Sequence, residues 1–224
     1  MATTTKVLPT SAIKRSATSN RLVGGLTWYV VVSVLGIIFM GPFLWTIGSS
    51  LKGPTDLYVY PPELFPPTLV WHNYVAIWTF VPLLTFIKNS LVAGVLTTIG
   101  QTLSAGAVGY GFARFKFPGR NALFILLMST LIIPPQVTMV PRFLLYKEMG
   151  WLDTLFPLWV PAWFGGSAFF IFLMRQFFMT IPRELDDAAE IDGASGIQIF
   201  WHVLMPLTLP AVATVAIFAF LWNW

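Results

Sequence analysis

The sequence predicts an all-α protein, a polytopic bundle of transmembrane helices, and two observations predict it. Hydrophobic residues make up 56% of the 224 and charged residues only 10%, whereas a soluble domain carries roughly a quarter charged. The charges are also confined: none falls in 22–51, 89–113, 121–141 or 154–174, and none follows Asp192. A helix needs about 20 predominantly apolar residues to cross the hydrocarbon core. Each window accommodates one, which gives spans near 24–48, 86–112, 121–141, 155–176 and 206–224.

Residues 1–22 read as a tail; its first 20 are rich in Thr, Ser and Ala and lack an apolar period, the composition of a mobile end. Lys14, Arg15 and Arg21 then precede an apolar run too long for a secretory leader. No small-x-small cleavage pattern follows it, so the first helix is retained. From Ser49 to Val81 the prolines Pro54, Pro61, Pro62, Pro66 and Pro67 bar a long helix. This segment, 49–81, is an external loop with Trp71 and Trp78 as interface anchors.

Ala105, Gly109 and Ala113 recur every four residues in the second span and line one helix face with small side chains. That stripe admits a closely packed neighbour. A short turn follows, with Pro118-Gly119 set among Arg114, Lys116 and Arg120. Pro134-Pro135 interrupt the third span in its outer half, and irregular backbone at that depth is tolerated where it is buried or lines a wet cavity. Gln136 and Thr138, just beyond the break, are either polar groups on a solute path or the chain's way out of the membrane. In the fourth span, Pro157, Pro161 and Gly165-Gly166-Ser167 predict a kink or close packing.

Helix order and basic residues together set an orientation. With the N-terminus cytoplasmic, nine Lys and Arg lie inside and four outside: Lys6, Lys14, Arg15, Arg21, Arg114, Lys116, Arg120, Arg175 and Arg183 against Lys52, Lys88, Arg142 and Lys147. The net charge of +4 is therefore a topological signal rather than a nucleic-acid surface. Cysteine is absent, which excludes disulfides, thiol nucleophiles and cysteine metal sites.

Five carboxylates, Glu184, Asp186, Asp187, Glu190 and Asp192, fall within nine residues between the fourth and fifth spans. Pro182 suits a helix start, the acids suit its first turn, and Gly193 suits a left-handed stop. The expectation is a short helix over 183–192, a turn at Gly193, and a second helix. Composition alone makes this a solvated acidic connector.

The pattern is more particular. Asp187-Ala188-Ala189, three residues, Gly193, nine residues, then Val203-Leu204-Met205-Pro206 resembles the EAA loop of ABC importer permeases. Ala188, Ala189, Gly193 and Pro206 match that pattern outright; Asp187, Val203 and Met205 are conservative departures from it. His72-Asn73-Tyr74, Asn89-Ser90, 110-YGFARFKFPG-119, 133-IPPQ-136, 150-GWLDT-154, 175-RQF-177 and 191-IDGAS-195 are similar, in order, to the carbohydrate-uptake branch related to the maltose permease of the MalG type.

The resemblance implies the type I ABC importer permease fold in a prokaryotic inner membrane. It also implies a second permease subunit completing the pore, two cytoplasmic ATPase subunits, an external solute-binding protein and a sugar-like solute. Residues 182–205 would be the coupling loop, engaging the ATPase through Glu184, Asp187, Ala188, Ala189, Glu190 and Asp192, with Gly193 and Pro206 shaping it. Relatives have six spans, so 206–224 is expected to be the start of the fifth helix of a chain lacking its sixth.

No G-x-x-x-x-G-K-[ST] is present, so ATP chemistry is expected from partner subunits, and no cofactor is expected on this chain itself. The rival reading is an ion-coupled secondary transporter. Its usual mark, an ionisable residue inside a span, is missing, with Lys88 only at a boundary, although backbone carbonyls can also hold sodium. An intramembrane enzyme would draw on His72 and His202. The predicted topology puts them on opposite sides, leaving no catalytic or metal site.

Overall fold

A computed structural model of the chain describes residues 10–224 and is helical along most of that length. It divides into two compact units, residues 1–82 and 83–224. In the first, α1 (Thr10–Ser50) reaches back into the stretch read as tail, and residues 1–9 lie outside the described residues. Its apolar part, Trp28–Ser50, is long enough to cross a membrane. The proline-rich segment after it folds without a long helix and contains only α2 (Asn73–Phe80) and one 3₁₀ turn. Polar side chains hold it together: Asn73 Nδ2 donates to the carbonyls of Ser50 and Lys52, both at 2.9 Å. The buried Lys52 donates to the Glu63 carbonyl and lies 4.4 Å from the centre of the Trp45 ring, a cation–π contact that offsets part of the cost of burying its charge.

The second unit is built on α3 (Leu83–Arg114). Two elements follow, α4 (Arg120–Ser129) and α5 (Pro135–Glu148), meeting at 100° across the Pro134-Pro135 break. The break falls where the prolines place it, but the second arm turns sharply away rather than completing a straight crossing. Proline lacks the N–H that would continue the ladder and forces its predecessor extended; Ile133 has ψ 116°.

The expected fourth span is broken too. It comprises α6 (Phe156–Trp159), a 3₁₀ turn and α7 (Ala168–Thr180). Gly165 and Gly166 at φ 96° and 52° supply the left-handed residues a side chain would resist. Polar bonds to α3 hold this broken segment, two of them from α3 side chains to its backbone. Ser104 Oγ accepts from the Gly165 N–H at 3.0 Å, Thr97 Oγ1 donates to the Leu158 carbonyl at 3.0 Å, and Trp163 Nε1 donates to the Leu96 carbonyl at 3.1 Å. Broken helices persist in an apolar medium only when such partners exist.

After α7 come α8 (Glu184–Ile191), α9 (Gly196–Leu207) and α10 (Leu209–Asn223). Residues Ile199–Leu204 of α9 are wound as a π-helix, and α9 meets α10 at 82°. Pro206 and Pro210 flank that bend. The buried Thr208 hydroxyl donates to the carbonyls of Leu204 and Met205, which also accept from the Thr208 N–H, so the bend is tied to the preceding turn by both groups of one residue.

The core of this unit gathers residues of α3, α7, α9 and α10. Phe170, Phe178, Leu204 and Val215 are fully enclosed, and Phe170 stacks on Trp222 with centroids 5.0 Å apart. The small-residue stripe does the packing its spacing predicts: Ala105, Gly109 and Ala113 are all buried. At Gly109 the approach is backbone to backbone, since a Cβ would lie 3.0 Å from the Arg175 nitrogen and 3.2 Å from the Ile171 oxygen.

Candidate functional site

The acidic segment folds as its residues dictate. Glu184, Asp186 and Asp187 occupy the first turn of α8, where carboxylates interact favourably with the helix dipole. Termination is a Schellman motif: the Ala194 N–H donates to the Ala189 carbonyl at 2.9 Å and the Gly193 N–H to the Glu190 carbonyl at 3.0 Å. Gly193 sits at φ 83°, the left-handed conformation this closure requires. Ser195 then caps α9 reciprocally, accepting at Oγ from the Gln198 N–H while its own N–H donates to Gln198 Oε1 at 2.7 Å. Ser195→Ala is expected to lower stability by about 1 kcal/mol, read as a lower midpoint in a denaturant titration.

Two arginines brace α8 against the bundle. Arg114 Nε lies 2.9 Å from Asp186 Oδ2, and both side chains are largely buried. An Arg114 Nη donates to the Ile181 carbonyl at 3.0 Å, and Arg183 reaches the Ala113 carbonyl at 3.3 Å. Burial pushes the Asp186 carboxyl above its ordinary range, while Arg114 and Arg183 pull it back. On the far side of the turn, the Tyr110 hydroxyl donates to the Gly196 carbonyl at 3.0 Å. The C-terminal end of α3 thus holds both sides of the loop.

Of the residues singled out from sequence, Glu184, Asp187, Ala188, Glu190, Asp192 and Gly193 are all exposed together on α8 and its turn. Ala189 is half-buried against this chain's own core, so of the two alanines Ala188 is the one presented outward. Pro206 lies apart, exposed in α9 beyond the π-wound segment. Gln136 and Thr138 sit on α5. Gln136 lines an open groove of about 420 Å³ with Met139, Arg142 and Tyr146, whereas the Thr138 hydroxyl donates to the Pro135 carbonyl at 3.0 Å.

Sequence reasoning missed two parts of this surface. One is the Arg114–Asp186 pair. The other is an apolar ridge: Leu185, Ala188 and Ile191 recur at intervals of three within the acidic helix, and Ile191 is 87% exposed. Residues three apart share a helix face, a signal visible in the sequence but outweighed by the acids around it. An exposed helix with an apolar ridge between carboxylates offers a partner both burial and charge-assisted hydrogen bonds. Among the described residues, no group of His, Asp and Glu is arranged to hold a metal. His202 is exposed, its Nδ1 3.1 Å from the Gln198 carbonyl.

Comparison with known proteins gives a consistent result. Residues 26–224 match the model of the binding-protein-dependent transport system inner membrane component. A probable ABC transporter permease protein of Pyrococcus horikoshii is 31% identical over 85% of this chain and 70% of its own length. The sn-glycerol-3-phosphate transport system permease protein of Yersinia enterocolitica is 30% identical over 87% of this chain and 70% of its own. An osmoprotective compounds uptake permease protein of Synechocystis is 38% identical over 61% of this chain and 46% of its own. In fold, the chain superposes with a TM-score of 0.79 on the crystal structure of a bacterial ABC transporter involved in alginate import, at 22% identity, covering 98% of this chain and 74% of that one.

Proposed function

The chain belongs to the family of binding-protein-dependent transport system inner membrane components, and on that footing we propose that it is a permease subunit of an ATP-driven importer for sugars or related polar solutes. It would form half of a paired translocation pore with a second permease, served by two ATPase subunits and an external solute-binding protein. The uptake of glycerol phosphate and of osmoprotective compounds named for its relatives supports the solute class.

The observation that carries this reading is α8. It stands exposed, closes at Gly193 in a left-handed turn, and is fixed to α3 by a buried ion pair. Pressure on the carboxylates and the ridge of Leu185, Ala188 and Ile191 would pass through Asp186 and Arg114 into a helix long enough to cross the membrane. ATPase closure would then move packed helices as bodies and alternate access to the solute path, with Gln136 as the candidate solute contact on α5 and Thr138 beside it.

Reconstituted with its partners, the chain is expected to support uptake that requires ATP and persists in the presence of ionophores. Uptake abolished by dissipating ion gradients would instead establish an ion-coupled carrier. Gly193→Val tests the lever: a Cβ there meets nothing within 4 Å, so the substitution acts through backbone strain of about 1–2 kcal/mol. Hydrolysis without matching uptake is the expected outcome. Wild-type coupling in this variant would remove Gly193 from the mechanism.

A further inference from the structure

Beside the ion pair lies a cavity of about 540 Å³ to which the transport reading assigns no ligand. Four arginines line it, from four parts of the chain: Arg114 at the end of α3, Arg120 at the start of α4, Arg175 in α7, and Arg183 ahead of α8. Glu184 is the carboxylate on its wall. Among the described residues, the Arg114–Asp186 contact is the only ion pair. Setting Asp186 against Arg114 and Glu184 against one of the others leaves two positive charges facing the cavity without a counter-ion.

The arginines' remaining contacts do not discharge them. Arg120 and Arg183 each donate to a carbonyl, of Phe115 and Ala113, and Arg175 lies 4.2 Å from the centre of the Phe124 ring. The Nε atom of Arg175 is buried without a hydrogen-bond acceptor. Like charges assembled around a concave space at this density repel one another unless an anion joins them, and planar guanidinium forks match phosphate oxygens in particular.

The level of the cavity narrows the anion further. Candidate spans Leu83–Arg114 and Phe156–Thr180 both terminate at it, and Phe112 and Met179 form part of its wall. A charged recess at the ends of membrane-crossing helices, with apolar groups on one side, lies at the depth of lipid headgroups.

We propose that this four-arginine cavity is a phosphate-binding site, taking the phosphate of an anionic lipid headgroup or free phosphate, which clips the root of α8 to α3, α4 and α7. It is separate from the proposed solute path, since neither Gln136 nor Thr138 lines it, and its test does not depend on transport. An occupant would stiffen the connection between α8 and the bundle by bridging cations that otherwise push apart.

The purified chain is placed in bilayer discs of phosphatidylcholine alone or with phosphatidylglycerol, and separately in detergent with or without inorganic phosphate. Retained lipid is counted by native mass spectrometry, and the unfolding midpoint is followed in each medium. Saturable retention of phosphatidylglycerol over phosphatidylcholine, weakened by salt, identifies the headgroup as the source. A saturable rise in midpoint with phosphate and no lipid preference identifies the free anion. Either response is expected to weaken about tenfold in Arg120→Gln and in Arg175→Gln, and to recover in part in Arg175→Lys. Should Arg175→Gln fail to fold, Arg183→Gln, at an exposed position, takes its place. Variants that bind lipid and phosphate as the wild type does, or a wild type indifferent to both, would overturn the proposal.

Discussion

Arg114→Met is expected to destabilise the protein by about 3–5 kcal/mol, the usual consequence of leaving one member of a buried ion pair without its partner. Arg114 is 9% exposed, and the Asp186 carboxylate beside it is 2.9 Å away. Removing the guanidinium strands that charge and also frees the Ile181 carbonyl. Denaturant titration of purified protein measures the loss. A companion Arg114→Met/Asp186→Leu variant should recover much of it, because the stranded charge is gone. A coupling energy near zero between the two sites would show that the pair is incidental to stability.

The same variant has a signed pH dependence. Burial already raises the Asp186 pKa and Arg114 opposes that rise, so losing Arg114 moves the carboxyl higher still. A carboxyl with a raised folded-state pKa favours folding below its ordinary value and loses that contribution as pH climbs through the raised one. The deficit of Arg114→Met should therefore be full at neutral pH and shrink on acidification. Asp186→Asn, with no proton to gain, should abolish the trend.

Gly109→Ala is expected to cost about 1–3 kcal/mol, as overpacking does in a tight core. Its new methyl would stand 2.9 Å from the Met174 Cβ and 3.0 Å from the Arg175 backbone nitrogen. Neither can swing aside as a side-chain tip can, so α3 and α7 must part. Gly111, two residues on, is the control: nothing lies within 4 Å of its added Cβ, and Gly111→Ala should be neutral or stabilising by about 0.5–1 kcal/mol. Unfolding midpoints of the two variants moving the same way would contradict this packing.

What could be read from sequence follows what is local. Charge-free windows located the apolar helices because lipid excludes charge wherever it falls along the chain. Pro134-Pro135 located a break because proline removes a hydrogen bond at its own position. Gly193 located a turn because few other residues tolerate its φ. The 100° angle at the break does not follow from the prolines, which remove a hydrogen bond without fixing the direction the next helix takes. Arg114 counted toward topology and Asp186 was one acid among five; their pairing spans 72 positions. Nothing in either residue's neighbourhood distinguishes Asp186 from the exposed Asp187. Ala188 and Ala189 are likewise indistinguishable in sequence, and helical rotation separates them into one outward and one core-facing residue.

The hydroxyls of Thr97 and Ser104 carry a consequence for how this protein tolerates change. Both sit in a continuous helix that does not need them for its own ladder, yet each satisfies backbone left open by the broken helix alongside. A substitution map of α3 should therefore show intolerance at these two positions out of proportion to their size. It would trace the contour of an interrupted neighbour onto a continuous helix, so that a helix can be constrained residue by residue by a shape that is not its own.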